Sequence, residues 1–280
     1  MNEFKANFTT AYNEKFPHTY FSIMEDLEYQ IPENAKPTIN FFIAQIKKRH
    51  SETVSILDLG CSYGVLSALV RFDLPLKSLY RRYQASKPAD ASRQSEADWY
   101  ASQSARGDVR FYGIDTSANA IEFATNVGLL DAGVAVDLED QLNTPSSLAS
   151  LPQQIDLVVS TGCVGYITNK TFKKVLLHID PSKPPIIASF VLRAFDYSEI
   201  AETLAEHGFR TTKLADTTFV QRRFRDSTEQ AHILSLLMAR SGHPQTPTPP
   251  ENDGYYHAEL FVSIHQDAEP AILDDLRQTW

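Results

Sequence analysis

The chain has 280 residues, 42% of them hydrophobic and 11% aromatic, enough to fill a globular core and too apolar for a disordered chain. Its 35 acids outnumber 26 bases, a net charge of −9, which disfavours a protein that wraps nucleic acid with a basic face. No apolar stretch reaches transmembrane length, and two cysteines without a secretory leader lead us to expect a reducing, cytoplasmic setting.

Residues 1–50 are rich in aromatics, among them Phe4, Phe8, Tyr12, Phe16, Tyr20, Phe21 and Tyr29. Three prolines divide this segment, and Pro37 reads as a helix start. The helix presents Ile39, Phe42, Ile43 and Ile46 on one face and ends in the cations Lys47, Lys48 and Arg49. An apolar run over 54–59 reads as a buried parallel strand, and 65–70 as the helix that follows it. Residues 75–108 interrupt the pattern. Their polar stretch 87–96 reads as a surface loop, with Trp99 and Tyr100 pinning its far end.

Further strands are predicted over 109–114, 134–137, 155–160 and 186–192, with helices signalled near 117–124 and over 170–179 and 198–207. Alternating strands and helices imply right-handed crossovers and a parallel sheet. The tail differs: 217–224 extended, 227–240 helical, 244–254 a proline-rich loop, and 256–264 an alternating strand.

The most informative segment is 54–64. Asp58 stands near the end of an apolar strand, and Gly60 and Gly64 bracket a tight turn into a helix. Such a strand, turn and helix N-terminus suit a ligand with an anionic group and an adenosine. The dinucleotide fingerprint wants three glycines, and here two are spaced G-x-x-x-G after an acid. A diphosphate needs close backbone approach at several points. An amino-acid carboxylate and ammonium need less, and the ammonium suits Asp58.

This segment resembles motif I of the class I S-adenosylmethionine (SAM) dependent methyltransferases, acid-x-Gly-x-Gly-x-Gly, with Ser62 in place of the middle glycine. The resemblance runs over roughly residues 54–215. It implies a Rossmann-like α/β fold whose sheet is mostly parallel with a late antiparallel strand, under an N-terminal helical lid. The lid would be residues 1–50 and the SAM-binding domain 51–280, with insertions near 75–108 and 225–254. The late extended segments then fit the reversed hairpin that closes such sheets.

By the same resemblance, Asp58, Gly60, Cys61 and Gly64 line the cofactor. Asp115 binds both ribose hydroxyls, and Asp137 and the Leu138 amide meet the adenine. Ser160 and Thr161 lie by the methionine portion. Tyr166 and Arg193 are candidates for the catalytic and substrate side, Arg193 as a carboxylate clamp or as half of an ion pair with an acid such as Asp196. Tyr20 and Tyr29 would line the lid.

Cys61 and Cys163 follow neighbouring strands and read as small packing near the cofactor. No zinc spacing, P-loop or Gly-x-Ser-x-Gly elbow occurs, and no metal is expected. The expected reaction is methyl transfer to a small molecule of secondary metabolism. Neither a nucleic-acid nor a membrane partner is expected. The alternatives are aminocarboxypropyl transfer or cyclisation, of the azetidine-2-carboxylate type, releasing methylthioadenosine, and SAM binding without turnover.

Overall fold

The structure is a computed structural model that describes residues 13–49, 52–86, 90–241, 250–267, 272–273 and 275–276. Phe4, Phe8 and Tyr12, part of the 87–96 stretch and most of the proline-rich loop lie outside the described residues. The chain opens with helices α1 (His18–Asp26) and α2 (Ile31–Arg49), then strand β1 (Val54–Leu59) and helix α3 (Val65–Arg71). Helices α4 (Leu76–Ala85) and α5 (Arg93–Ala101) precede β2 (Val109–Asp115), α6 (Ala118–Asn126) and β3 (Ala132–Ala135). After these come β4 (Leu157–Thr161), α7 (Asn169–His178), β5 (Ile186–Leu192), α8 (Ser198–Glu206) and β6 (Phe209–Lys213). The order ends with β7 (Phe219–Arg223), α9 (Ser227–Ser241) and β8 (Tyr255–His265).

The eight strands form one sheet in the order β3-β2-β1-β4-β5-β8-β6, with β7 also paired to β8. The pairings from β3 to β5 are parallel, and every pairing of β8 is antiparallel. Chain order reverses direction across the sheet between β1 and β4, and the carboxyl edge at such a switch point is where open α/β sheets bind ligands. The fold is therefore Rossmann-like, as expected.

Strand alternation divides the core. Val54 and Ile56 face a layer built from α1 to α6, while Leu57 and Leu59 face α7 and α8. Tyr20, Phe21 and Met24 of α1 are each 3% exposed. Burial of each such side chain is worth roughly 1.5–3 kcal/mol, so α1 packs as part of the core layer that holds β1.

Four local expectations are corrected. Pro37 lies inside α2, which starts at Ile31 with Pro32 in its first turn, where a missing N–H costs little. The 75–108 segment holds two helices, and Glu96, expected on a surface loop, is 1% exposed because Arg82 and Tyr83 bond its two carboxylate oxygens. The third strand ends at Ala135, which leaves Asp137 in the following loop. Finally, β6 was unforeseen: β6 and β7 run end to end along one edge of the eleven-residue β8.

Candidate functional site

Asp58, Gly113 and Val159 lie side by side across β1, β2 and β4 at the carboxyl ends of these strands. The chain then leaves β1 through a turn in which Gly60, Ser62 and Gly64 all have positive φ, 69°, 51° and 75°. Ser62 therefore occupies a left-handed conformation that favours glycine, at the position where the resembled motif has one. Gly60 is required by space as well as by φ. A Cβ there would meet the Cys163 Cβ at 2.8 Å, so the turn lies directly against the loop after β4. Cys61 fills the corresponding gap over Gly113.

Asp58 is 2% exposed, and its Oδ1 is buried without a hydrogen-bond partner among the described residues. Burial pushes its carboxyl well above the usual range, and the nearby Asp115 adds to the shift. A buried carboxylate oxygen with no donor is costly, and it fits a site that receives a charged N–H from a ligand.

Asp115 ends β2 and braces the turn. Its Oδ2 accepts the Ser62 amide at 2.8 Å and its Oδ1 the Ser117 amide at 2.9 Å. Burial raises its pKa, partly offset by the amides of Ser117, Ser62 and Thr116. Each carboxylate oxygen has two lone-pair sites, so both can accept a further hydroxyl.

Tyr20 covers this turn from α1. Its ring is 5.5 Å from that of Tyr63, and burial raises its hydroxyl pKa well above the ordinary value. Tyr63 donates to the Glu14 carbonyl at 2.8 Å, which fastens the approach to α1 onto the turn. Tyr29 is half-buried behind it, and its carbonyl accepts the Tyr80 hydroxyl at 2.5 Å.

On the far side, Ser160 is buried with Oγ lacking a hydrogen-bond partner among the described residues, and Thr161 and Gly162 follow it. The Cys163 thiol donates to the Leu59 carbonyl at 3.0 Å, and burial raises the pKa of both Cys61 and Cys163. Neither is therefore a ready nucleophile at neutral pH.

Asp137 is exposed, and its Oδ1 accepts the Glu139 amide at 2.9 Å, while Leu138 is buried in the core beneath it. The acid that sequence reasoning passed over is Glu139. It accepts the Thr168 amide and the Thr168 and Thr171 hydroxyls at the start of α7. Burial opposes its ionisation, but those bonds prevail and hold its carboxyl below the usual range.

Tyr166 is 52% exposed on the turn after Cys163. Burial raises its pKa, against the pull of Arg222. Arg193 is bonded to Glu251 at 2.5 Å and lies 3.5 Å from Glu259. The expected neighbour Asp196 lies 3.9 Å from Arg240 instead. The structure thus gathers Asp58, Gly60, Cys61, Gly64, Asp115, Ser160, Thr161 and Tyr20 around one turn. It holds Arg193 in an ion-pair cluster of its own.

Sequence reasoning also missed the edge that β7 lends to the site. The Gln30 amide donates to the Gln221 carbonyl at 2.7 Å, Asn34 Nδ2 to the Val220 carbonyl at 2.8 Å, and the Arg223 amide to the Leu27 carbonyl at 2.7 Å. The segment joining α1 to α2 is thereby tied to β7. Among the described residues no three His, Cys, Asp or Glu side chains come together as metal ligands, and no helix is long and apolar enough to cross a membrane.

No protein-family model matches the sequence, and no curated protein matches it. Solved structures show distant likenesses. The plantazolicin methyltransferase BamL, in complex with a triazolic desmethylPZN analog and SAH, is 12% identical, with 87% of this chain and 88% of that chain covered at a TM-score of 0.44. The CurJ carbon methyltransferase is 11% identical over 90% of this chain and 60% of that one, with a TM-score of 0.48. A TehB-like SAM-dependent methyltransferase from Corynebacterium glutamicum is 14% identical over 79% and 86%, with a TM-score of 0.35.

Proposed function

We propose that this chain is an enzyme that binds S-adenosylmethionine at the carboxyl edge of β1, β2 and β4 and transfers its methyl group to a small molecule. The observation that carries this reading is the buried Oδ1 of Asp58, without a hydrogen-bond partner among the described residues, beside a left-handed turn braced by Asp115. Asp58 would hold the ammonium of the methionine portion. Asp115 would accept the ribose hydroxyls, and the outer face of Asp137 with the Leu138 amide would meet the adenine. Ser160, Thr161 and the glycines leave room for close approach of the chain to the ligand.

When bound, the cofactor supplies a methyl group activated by a neighbouring sulfonium. The protein's task is alignment and exclusion of water, and this needs little specialised side-chain chemistry. Tyr20 of α1 would shield the Tyr63 side of the turn from solvent. Tyr166, exposed after Cys163, would stand on the side where an acceptor enters. The net charge of −9 favours a small molecule over nucleic acid as that acceptor. No membrane partner is proposed, and the cytoplasm is the proposed compartment.

Calorimetry is expected to show binding of S-adenosylhomocysteine (SAH) and much weaker binding of NADH. Incubation with SAM and a metabolite extract is expected to yield SAH only when the extract is present. Acceptor-independent methylthioadenosine above the non-enzymatic background would replace methyl transfer by cyclisation. Binding without turnover in any extract would leave a SAM-binding protein.

A further inference from the structure

Gln221 is the extra residue of a β-bulge. Pairing between β7 and β8 steps from Val220–His257 to Arg222–Tyr256 and leaves Gln221 without a partner on β8. Bulges of this kind re-aim a side chain and are common beside active sites. Its backbone carbonyl is captured by the Gln30 amide at 2.7 Å, which fixes the bulge from the α1–α2 connection.

The re-aimed side chain lies over the loop after β4. A Cβ on Gly162 would collide with the Gln221 amide nitrogen and come within 3.3 Å of its Cδ, so Gly162 is the residue that admits the amide. Gly162 has φ 88° and directly precedes Cys163, against which Gly60 packs. Gln221 is 7% exposed, and its Oε1 is buried without a hydrogen-bond partner among the described residues. A buried carbonyl oxygen in that state is costly unless something positive or N–H-bearing meets it.

From this geometry we infer that Gln221 is a cofactor-contacting residue whose carboxamide oxygen faces the positive sulfonium end of SAM. The inference rests on the proposed function above. Asp58 and Gln221 then divide the two positive charges of the ligand, the ammonium at β1 and the sulfonium at the β4–β7 side. SAM and SAH differ by one methyl group and one positive charge, so a residue with this role discriminates between them. A residue that only shapes the wall does not.

The test is calorimetry of SAM and of SAH on the full chain and on Gln221→Met, which keeps the length of the side chain and removes its carbonyl. The expected result is a SAM-to-SAH affinity ratio at least fivefold lower than in the parent, with SAH affinity within twofold. An unchanged ratio, or equal losses for both ligands, would overturn the inference while leaving the site reading intact. Failure of the parent to bind either ligand would overturn both. If Gln221→Met does not fold, Gln221→Leu is measured in the same way and judged by the same ratio.

Discussion

The Oδ2 of Asp115 accepts the backbone amide of Ser62 at 2.8 Å, so the last residue of one strand holds the turn that leaves its neighbour. This bond couples ligand recognition to the shape of the turn. Asp115→Ala loses both, and SAH affinity is expected to weaken by roughly 1.5–3 kcal/mol, the scale of hydrogen bonds to a charged group. Titration calorimetry reads this directly. Unchanged affinity would remove Asp115 from the site.

Asp58 has a different signature. Its carboxyl is pushed up by burial and by Asp115, whereas an unfolded aspartate titrates near about 3.9. The fold therefore keeps a proton that the unfolded chain releases. This contribution to stability is full below the unfolded value and is lost as pH rises through the folded one. Asp58→Asn is expected to melt at a higher temperature than the parent near about pH 8, with a gap that shrinks as pH falls towards about 4. The same variant is expected to lose SAH binding. Equal Tm values near about pH 8 would contradict a buried Asp58 carboxyl held above its ordinary range.

Gly60 tests close packing. Its φ of 69° and the 2.8 Å approach to the Cys163 Cβ predict that Gly60→Ala destabilises the protein by about 1–3 kcal/mol. Adding Cys163→Gly removes the collision but leaves the left-handed strain, so only part of the loss is expected to return. Denaturant unfolding of the single and double variants decides this, and full recovery would show that φ carries no penalty.

The helices over the turn give a prediction in solution. Tyr20 and Tyr63 meet above it, and the α1–α2 connection is tied to β7 through Gln30 and Asn34. Hydrogen exchange across residues 18–35 is expected to slow when SAH binds, because the ligand adds contacts to the turn that these helices cover. Unaltered exchange there would separate the helices from the binding event.

Metal removal supplies a further check. Since no ligand cluster forms among the described residues, SAH formation in the presence of extract is expected to survive EDTA. A loss restored by Mg²⁺ would point to acids not identified at this site.

The parts of the site legible from sequence were those that punctuate a strand. Asp58, Gly60, Gly64 and Asp115 stand where apolar runs stop, and period and turn chemistry expose such positions. Glu96 was misread because an acid in a polar run looks solvated until Arg82 and Tyr83 arrive from another helix. The start of α2 was misplaced because two prolines competed, and Pro32 was the one in the first turn. β6 was missed because an edge strand with partly exposed faces leaves little alternation to read. Gln221 carried no signal at all, since a bulge is a property of pairing between two strands.

β8 is the last strand of the sheet in sequence, yet it lies between β5 and the β6–β7 edge. A chain emerging from the ribosome therefore carries Asp58 and Asp115 long before it can seat β7, the strand that places Gln221 and anchors Gln30. Nascent chains that stop short of β8 would expose the flank of β5 and the apolar side of β7, surfaces prone to wrong pairing. On this topology, the edge that carries Gln221 and anchors Gln30 is completed only once β8 has been made.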